Sequence, residues 1–452
     1  MRILLWHGYL LSGSGSNIYA ANVAAAWRAQ GHDVVLMCQE KDVGRFDFID
    51  ADGVADGETV RDLASRPSGG SCVLLRPPIG EVLPVYVYDH YEGFTAKRFV
   101  DLSERELSHY TDSNVEALVT VIEGFRPDAI VTGHEVMGPE IARRACGATK
   151  TSYVAKLHGS ALEYAVKLQD RYLAHAESGL NAAARVVGGS RYMLGAAAAT
   201  IPGPWIEDAL VVNPGCDVDL FAPVERTEPD RARIAFVGKL IVSKGVHHLL
   251  AAAGLVRSQP IELVIIGFGG FQPQLEALAQ ALESGDAGHA VALAEAGDGP
   301  PLEDLASFLA AEPGADYWPR QADVAVTFAG RLEHGPLSER LPYLDVLVVP
   351  SVLPEAFGMV AAEAAACGVL PIVPDHSGIG ELGATLEEHL GTPGLLTFDA
   401  GRPIESIAAA IDGVLGLGFE RRRDLGRSAA ELARSIWSWE TVANRLLAAA
   451  TD

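Results

Sequence analysis

The sequence predicts an α/β protein of two doubly wound, Rossmann-like domains in series. Three observations carry that prediction. Short apolar, β-branched runs alternate with alanine-rich helical stretches along the whole chain, as in parallel sheets covered by helices on both faces. The alternation stops at a proline- and charge-rich stretch, Pro223 to Arg231, and then restarts. The 452 residues exceed one ordinary core and suit two domains of about 200 residues each.

The first half reads as strands at Arg2 to Trp6, Asp33 to Cys38, Ala129 to Thr132, Ser152 to Leu157 and Arg185 to Gly188. Val211-Val-Asn-Pro-Gly-Cys-Asp217 reads as a closing strand entering a linker. The second half reads as strands at Arg233 to Gly238, Glu262 to Gly267, Val324 to Phe328, Asp345 to Pro350 and Leu370 to Val373. Gly285 to Arg320 is acidic, rich in Gly and Pro and weakly periodic, so it reads as an inserted excursion. Ser435 to Ala450 reads as a final amphipathic helix returning to the first domain. The expected division is therefore 1–215, 216–434 and a terminal helix over 435–452. Two such domains imply a cleft between them, and open sheets bind ligands outside their carboxyl strand ends.

Composition narrows the function classes. Hydrophobic residues make up 49% and charged residues 21%, as in a globular chain. With 59 acidic against 35 basic residues, the formal charge of −24 argues against nucleic acid and broad attraction to anionic lipid. No apolar run approaches the roughly 20 residues that span a bilayer, so a cytoplasmic location is expected. Five widely spaced cysteines without a C-x-x-C pair fit reduced structural thiols.

The chemistry-bearing residues fall at strand ends. Glu355-Ala-Phe-Gly-Met-Val-Ala-Ala-Glu363 follows the run LDVLVVPS and enters a helix-prone stretch stopped by Gly368. Phe357, Gly358, Met359 and Val360 would supply unpaired first-turn amides facing an anion. The carboxylates of Glu355 and Glu363 could accept sugar and ribose hydroxyls. An isolated pair at this spacing is more often two solvated glutamates, so context decides. Gly238-Lys-Leu-Ile-Val-Ser-Lys-Gly245 brackets a βα turn with Lys239 and Lys244, two ammonium groups able to neutralise a diphosphate leaving group. Gly267-Phe-Gly-Gly270 opens at another strand end. In the first half, Ser12, Gly13, Ser14, Gly15, Ser16 and Asn17 form a glycine loop able to bring amides to a phosphate or acceptor, or a plain turn. His134-Glu135 and His158-Gly159 each follow a strand, and His134 lacks the H-E-x-x-H spacing for zinc.

In this order the segments resemble the retaining nucleotide-sugar glycosyltransferases of the GT-B architecture, specifically glycosyltransferase family four. The resemblance runs from the glycine loop through His158-Gly159, Asn213-Pro-Gly-Cys-Asp217, VGKLIVSKG, FAGRL and PSVLPEAFGMVAAEAAACG to the last, WSWE-containing helix. It implies that Lys239, where the family usually has arginine, and Lys244 hold the donor diphosphate. The lysine at 239 keeps the charge but loses the bidentate fork. It also implies that Glu355 contacts the transferred sugar, with the amides of Phe357 to Val360 on sugar and phosphate, and that Glu363 accepts from the ribose. Gly330, Arg331 and Leu332 resemble the segment against the nucleobase, and His158 the histidine near the reacting carbon. Gly15, Gly238 and Gly267 complete the donor candidates. For the acceptor the candidates are Ser14, Asn17, Tyr88, Tyr91, Lys97 and His134. Val85 to Tyr110, with Tyr86, Phe94, Asp89 and Glu92, either serves that role or packs a β-hairpin or helix face.

Asp217-Val-Asp219 and Asp50-Ala-Asp52 have the D-x-D form of metal-dependent glycosyltransferases. The first belongs to the junction pattern and the second falls in a loop-like region, so both are expected to be structural, with no metal or other cofactor. The expected activity is hexosyl transfer from a nucleoside-diphosphate sugar to an acceptor hydroxyl, with retention, by a front-face mechanism. The acceptor is expected to be a soluble metabolite or glycan, with no nucleic-acid partner. A nucleotide-sugar epimerase on the same scaffold and a non-catalytic sugar-nucleotide binding module remain the alternatives.

Overall fold

The computed structural model describes residues 1–64, 69–87, 93–296 and 302–451. It divides into two compact units, residues 1–214 with 439–452, and residues 215–438.

Unit 1 contains β1 (Arg2–Trp6), β2 (Asp33–Met37), β3 (Ala51–Val54), β4 (Ser71–Arg76), β5 (Val82–Val85), β6 (Thr95–Arg98), β7 (Ala129–Gly133), β8 (Val154–Lys156), β9 (Arg185–Gly188) and β10 (Leu210–Val211). Eight of these form one parallel sheet in the order β10-β9-β8-β7-β1-β2-β4-β3. Strand order reverses at β1, whose neighbours are β2 and β7, so the topological switch lies between β1 and β7. Its strands are apolar because helices cover both faces; Ile3, Leu36, Leu74 and Val131 are all fully buried.

Three expectations need correction here. The region of Asp50-Ala-Asp52 is the edge strand β3, paired with β4, and not a loop. Asp50 accepts from the Arg28 guanidinium and the Cys72 amide, while Asp52 pairs with Arg76. These contacts fix a strand whose own sequence, ADGV, has little strand propensity. β4, SCVLLR, is a buried inner strand that the sequence reading passed over. Finally, β5 and β6 pair in parallel, not as the two arms of a β-hairpin.

Unit 2 contains β11 (Ala232–Lys239), β12 (Ile261–Phe268), β13 (Ala325–Gly330), β14 (Val346–Val348), β15 (Leu370–Pro374) and β16 (Thr397–Phe398). They form one parallel sheet, β13-β12-β11-β14-β15-β16, whose switch point lies between β11 and β14. The expected excursion over Gly285 to Arg320 carries three short helices, Ala287–Ala296, Glu303–Ala310 and Tyr317–Ala322. Leu305 and Tyr317 are buried in it, and the Tyr317 hydroxyl donates to the Ala251 carbonyl, so it is folded onto the unit.

The terminal run is two helices and not one. Helix Phe419–Ile436 ends at Trp437, and helix Trp439–Thr451 begins two residues later. Trp437 is buried in unit 2, with its carbonyl accepting from the Cys216 amide at 2.8 Å. Trp439 packs edge-on against Tyr19 in unit 1, where Trp27 Nε1 donates to the Ala443 carbonyl at 3.0 Å. The final helix thus returns to unit 1, buried through Val442, Ala443, Leu446 and Leu447. Among the described residues no helix is long and apolar enough to cross a membrane.

Candidate active site

In unit 2 the lysine loop follows β11 and the glutamate loop follows β14, so both open at the switch point, where an open sheet leaves a crevice. Lys239 ends β11 and is exposed. Lys244 ends a single 3-10 turn, Val242–Lys244, closed by Gly245 in the left-handed conformation (φ 68°). That glycine is required: a Cβ there would stand 1.8 Å from the Pro350 carbonyl oxygen at the start of the glutamate loop. Close approach of the two loops lets Lys244 Nζ reach Glu355 Oε1 at 2.7 Å. The pair is only partly exposed, which strengthens it relative to a solvated one.

Glu355 is held from three further sides. The Ser351 hydroxyl donates to its Oε1, the Glu355 amide donates to Ser377 Oγ at 3.0 Å, and the Gly378 amide donates to the Glu355 carbonyl at 2.9 Å. Ser377 has φ 60°, uncommon for a residue with a Cβ, and lies 3.1 Å from His376 Nδ1. Ser351, Ser377 and His376 escaped the sequence reading. Only Ser351, four residues before Glu355, was within reach of a local argument.

Phe357 is buried edge-on against Trp437. Gly358 caps helix Met359–Ala366 with φ 89°, where a Cβ would meet Ile379 at 2.7 Å. No side chain caps this helix start, and the Ala361 amide bonds to the Gly358 carbonyl, so Met359 and Val360 are the first-turn amides able to face an anion. Glu363, the fifth helical residue, is buried and lies 3.5 Å from His334 Nε2. At the other end of the crevice Gly267 stands opposite Gly238, so close that a Cβ on Gly267 would be 1.8 Å from the Gly238 carbonyl oxygen. Phe268 is exposed beside Lys239, and the Arg331 guanidinium lies 5.0 Å over its ring while pairing with Glu333 at 2.8 Å. Leu332 is half-buried next to it.

Unit 1 gathers a second polar cluster at its own switch point. His7 follows β1, His134 and Glu135 follow β7, and His158 follows β8. The His134 ring lies 5.6 Å from His7 and 4.9 Å from His158, with Tyr9 and Tyr86 also around it. Neither His134 ring nitrogen has a partner among the described residues. Glu135 Oε1 accepts the Gly159 amide at 2.7 Å, which anchors the turn carrying His158. Lys156, fully buried, donates to the Val212 carbonyl at 2.8 Å, and burial pushes its pKa down to about 7. Asn17 is spent inside the loop, with Oδ1 2.9 Å from His7 Nε2 and Nδ2 donating to the Ser12 carbonyl at 2.6 Å. Ser14 caps helix Gly15–Ala29, which Gly15 begins.

Two family models match the chain: a glycosyl transferase 4-like domain over residues 14–215 and glycosyl transferases group 1 over residues 320–432. Both matches are to glycosyltransferase models, and together they support a glycosyltransferase of the family-four type. A D-inositol 3-phosphate glycosyltransferase of Mycobacterium marinum is 29% identical over 53% of the chain, and that of Mycobacterium bovis is 32% identical over the same share. The matches span 44% and 42% of those relatives' own lengths. Solved structures share the fold across nearly the whole chain. HepE of Anabaena, in complex with UDP, matches with a TM-score of 0.60 and 16% identity over 99% of both chains. Sucrose-phosphate synthase of Thermosynechococcus elongatus matches with 0.57 and 18% identity over 99% of this chain and 97% of its own. The two Rossmann-like units are thus those of the GT-B architecture.

The structure brings Lys244, Glu355 and the helix start at Gly358 together at one switch point, with Lys239 and Glu363 on the strand and helix that flank it. Lys97, in unit 1, has its ammonium paired to Glu106 at 2.8 Å. Tyr86 is core, stacked 4.8 Å from Phe99, and Phe94 lies under the Lys41 ammonium. Tyr88, Tyr91, Asp89 and Glu92 lie outside the described residues. Asp217 caps its own turn through the amides of Asp219 and Leu220. Among the described residues no group of three or more His, Cys, Asp or Glu could hold a metal ion.

The unit 1 cluster sets a pH dependence. Burial lowers His7 to about 4 and holds His134 well below the ordinary histidine range. A folded pKa below the unfolded one means stability present above pH 6.5 and lost as pH falls toward 4. With His158, lowered by burial in the same way, three such histidines give a slope of about 4 kcal/mol per pH unit at most. Glu135, raised by burial, opposes one proton of that slope. Thermal unfolding should therefore begin at clearly lower temperature at pH 5 than at pH 7; equal midpoints would contradict the buried neutral cluster.

Proposed function

We propose that the chain transfers a hexosyl unit from a nucleoside-diphosphate sugar to an acceptor hydroxyl with retained anomeric configuration. The bond from the anomeric carbon to the diphosphate oxygen breaks, and a bond to the acceptor oxygen forms on the same face. The acceptor proton passes to the departing diphosphate. The observation that carries this reading is the Lys244 to Glu355 pair at the unit 2 switch point, beside a helix start, with an exposed cation, Lys239, at the end of β11. Glu355 receives hydroxyls of the transferred sugar, Glu363 those of the ribose, and Lys239, Lys244 and the helix amides stabilise the leaving charge. That supply of positive charge lets the reaction run without a metal ion.

HepE is solved with UDP and UDP-glucose, which makes a uridine donor the first to test. The inositol phosphate relatives make a small soluble polyol or its phosphate the first acceptor to test, in the cytoplasm. We assign acceptor recognition to unit 1.

The test is incubation with UDP-, GDP- and ADP-hexoses and a panel of polyol acceptors, with the product's anomeric configuration read by NMR. A retained product, formed equally well in excess EDTA, is expected. Inverted product, or a rate abolished by EDTA and restored by Mg²⁺, would overturn the mechanism. Donor consumption at the same rate without acceptor would indicate an epimerase instead.

A further inference from the structure

Glu363 has a neighbour that the donor reading leaves unused. His334 begins helix His334–Arg340, two residues after Leu332, and places Nε2 3.5 Å from Glu363 Oε1. Its side chain is 49% exposed while that of Glu363 is 8% exposed, so the imidazole can be replaced without opening the core. The Phe221 ring stands edge-on at 6.0 Å and bounds the imidazole on one side.

We propose that His334 is a positioning residue for the donor ribose: its Nε2–H holds one oxygen of Glu363, so that the other stays turned toward the ribose hydroxyls. The proposal rests on the donor reading above. A glutamate's last torsion is broad and roughly two-fold, so an unrestrained carboxylate samples orientations that cannot accept two vicinal hydroxyls. A hydrogen bond to one oxygen removes that freedom before the ligand arrives, which is preorganisation. The ribose is remote from the reacting carbon and makes the same contacts in ground and transition states. Loss of His334 should therefore appear in KM and leave kcat nearly unchanged.

The charged groups facing His334 are Glu363 from helix Met359–Ala366, Glu333 on its own turn, and Asp217 from the segment that opens unit 2. Glu333 also pairs with Arg331. The Cys216 and Cys367 thiols near Glu363 are pushed up by burial and remain neutral. The hydrogen bond to Glu363 raises the His334 pKa above the ordinary histidine value, with burial opposing it. The pair is therefore strongest below that raised pKa and weakens as pH rises through it. Nucleotide affinity should fall over the same window.

The experiment titrates UDP, GDP and ADP calorimetrically into the full chain between pH 6 and pH 9, unaltered and as His334→Ala, His334→Gln and Glu363→Ala. The nucleotide that binds the unaltered chain should bind His334→Ala about three- to tenfold more weakly, with the pH dependence flattened. His334→Gln retains a donor and should regain most of the affinity, also without the pH dependence. In turnover, KM for the donor should rise and kcat stay within about twofold. Unchanged affinity and pH profile in His334→Ala, with Glu363→Ala impaired, would overturn this proposal alone, as would a fall in kcat matching the fall in kcat/KM. If none of the three nucleotides binds the unaltered chain, the donor reading fails and the proposal with it.

Discussion

Replacing Lys244 by alanine is expected to lower kcat/KM by about 10²–10³-fold, the range seen when one preorganised charge stabiliser is removed from a transition state. The effect should fall mainly on kcat, because charge on the diphosphate builds as the glycosidic bond breaks. Folding should suffer far less. Lys244 is in a short turn, 30% exposed, and its partner, Glu355, keeps the Ser351 hydroxyl and is itself 18% exposed. Loss of a partly solvated pair costs about 1 kcal/mol. Urea unfolding measured beside steady-state kinetics separates the two effects. A variant with wild-type turnover would remove Lys244 from the diphosphate site; one that loses activity only through loss of folding would do the same.

Gly245→Ala should damage both folding and activity. The residue has φ 68°, and a Cβ would meet the Pro350 carbonyl oxygen at 1.8 Å, a rigid backbone atom that cannot rotate away. Left-handed backbone costs a residue with a Cβ about 1–2 kcal/mol, and overpacking adds about 1–3 kcal/mol. A combined loss of about 2–5 kcal/mol follows. Relief of the clash moves the lysine turn off the glutamate loop and breaks the Lys244 to Glu355 contact. Gly391→Ala is the matched control, since Gly391 is also left-handed (φ 65°) and a Cβ there meets nothing within 4 Å. Chemical denaturation of both variants checks the difference; equal midpoints would show that the two loops do not press together as described.

Much of this site was legible in the sequence, for physical reasons. Inner parallel strands are buried on both faces, so runs such as IAFVG and VLVV announce themselves, and the loops after them locate Lys244 and Glu355. β3 was not legible because ADGV has little strand propensity of its own and is held by pairing with β4 and by Arg28, Cys72 and Arg76 on Asp50 and Asp52, all distant in sequence. The break between Trp437 and Trp439 was hidden for a different reason. Two aromatics in one periodic run look alike, and only tertiary packing sends one to Phe357 and the other to Tyr19. The groups that hold the two glutamates from afar, Ser377 on the Glu355 amide and His334 on the Glu363 carboxylate, act across tens of residues and have no local signature.

The most direct measurement of the central claim is thermal unfolding of the chain in the presence of UDP-, GDP- and ADP-sugars, with Lys244→Ala beside it. A ligand that binds only the folded state stabilises it by about 2.7 kcal/mol at a hundredfold excess over its Kd. One nucleotide class should therefore raise the midpoint of the unaltered chain, and the rise should shrink sharply in Lys244→Ala. No rise with any of the three, or an equal rise in the variant, would contradict a nucleotide-sugar site built on the loops after β11 and β14.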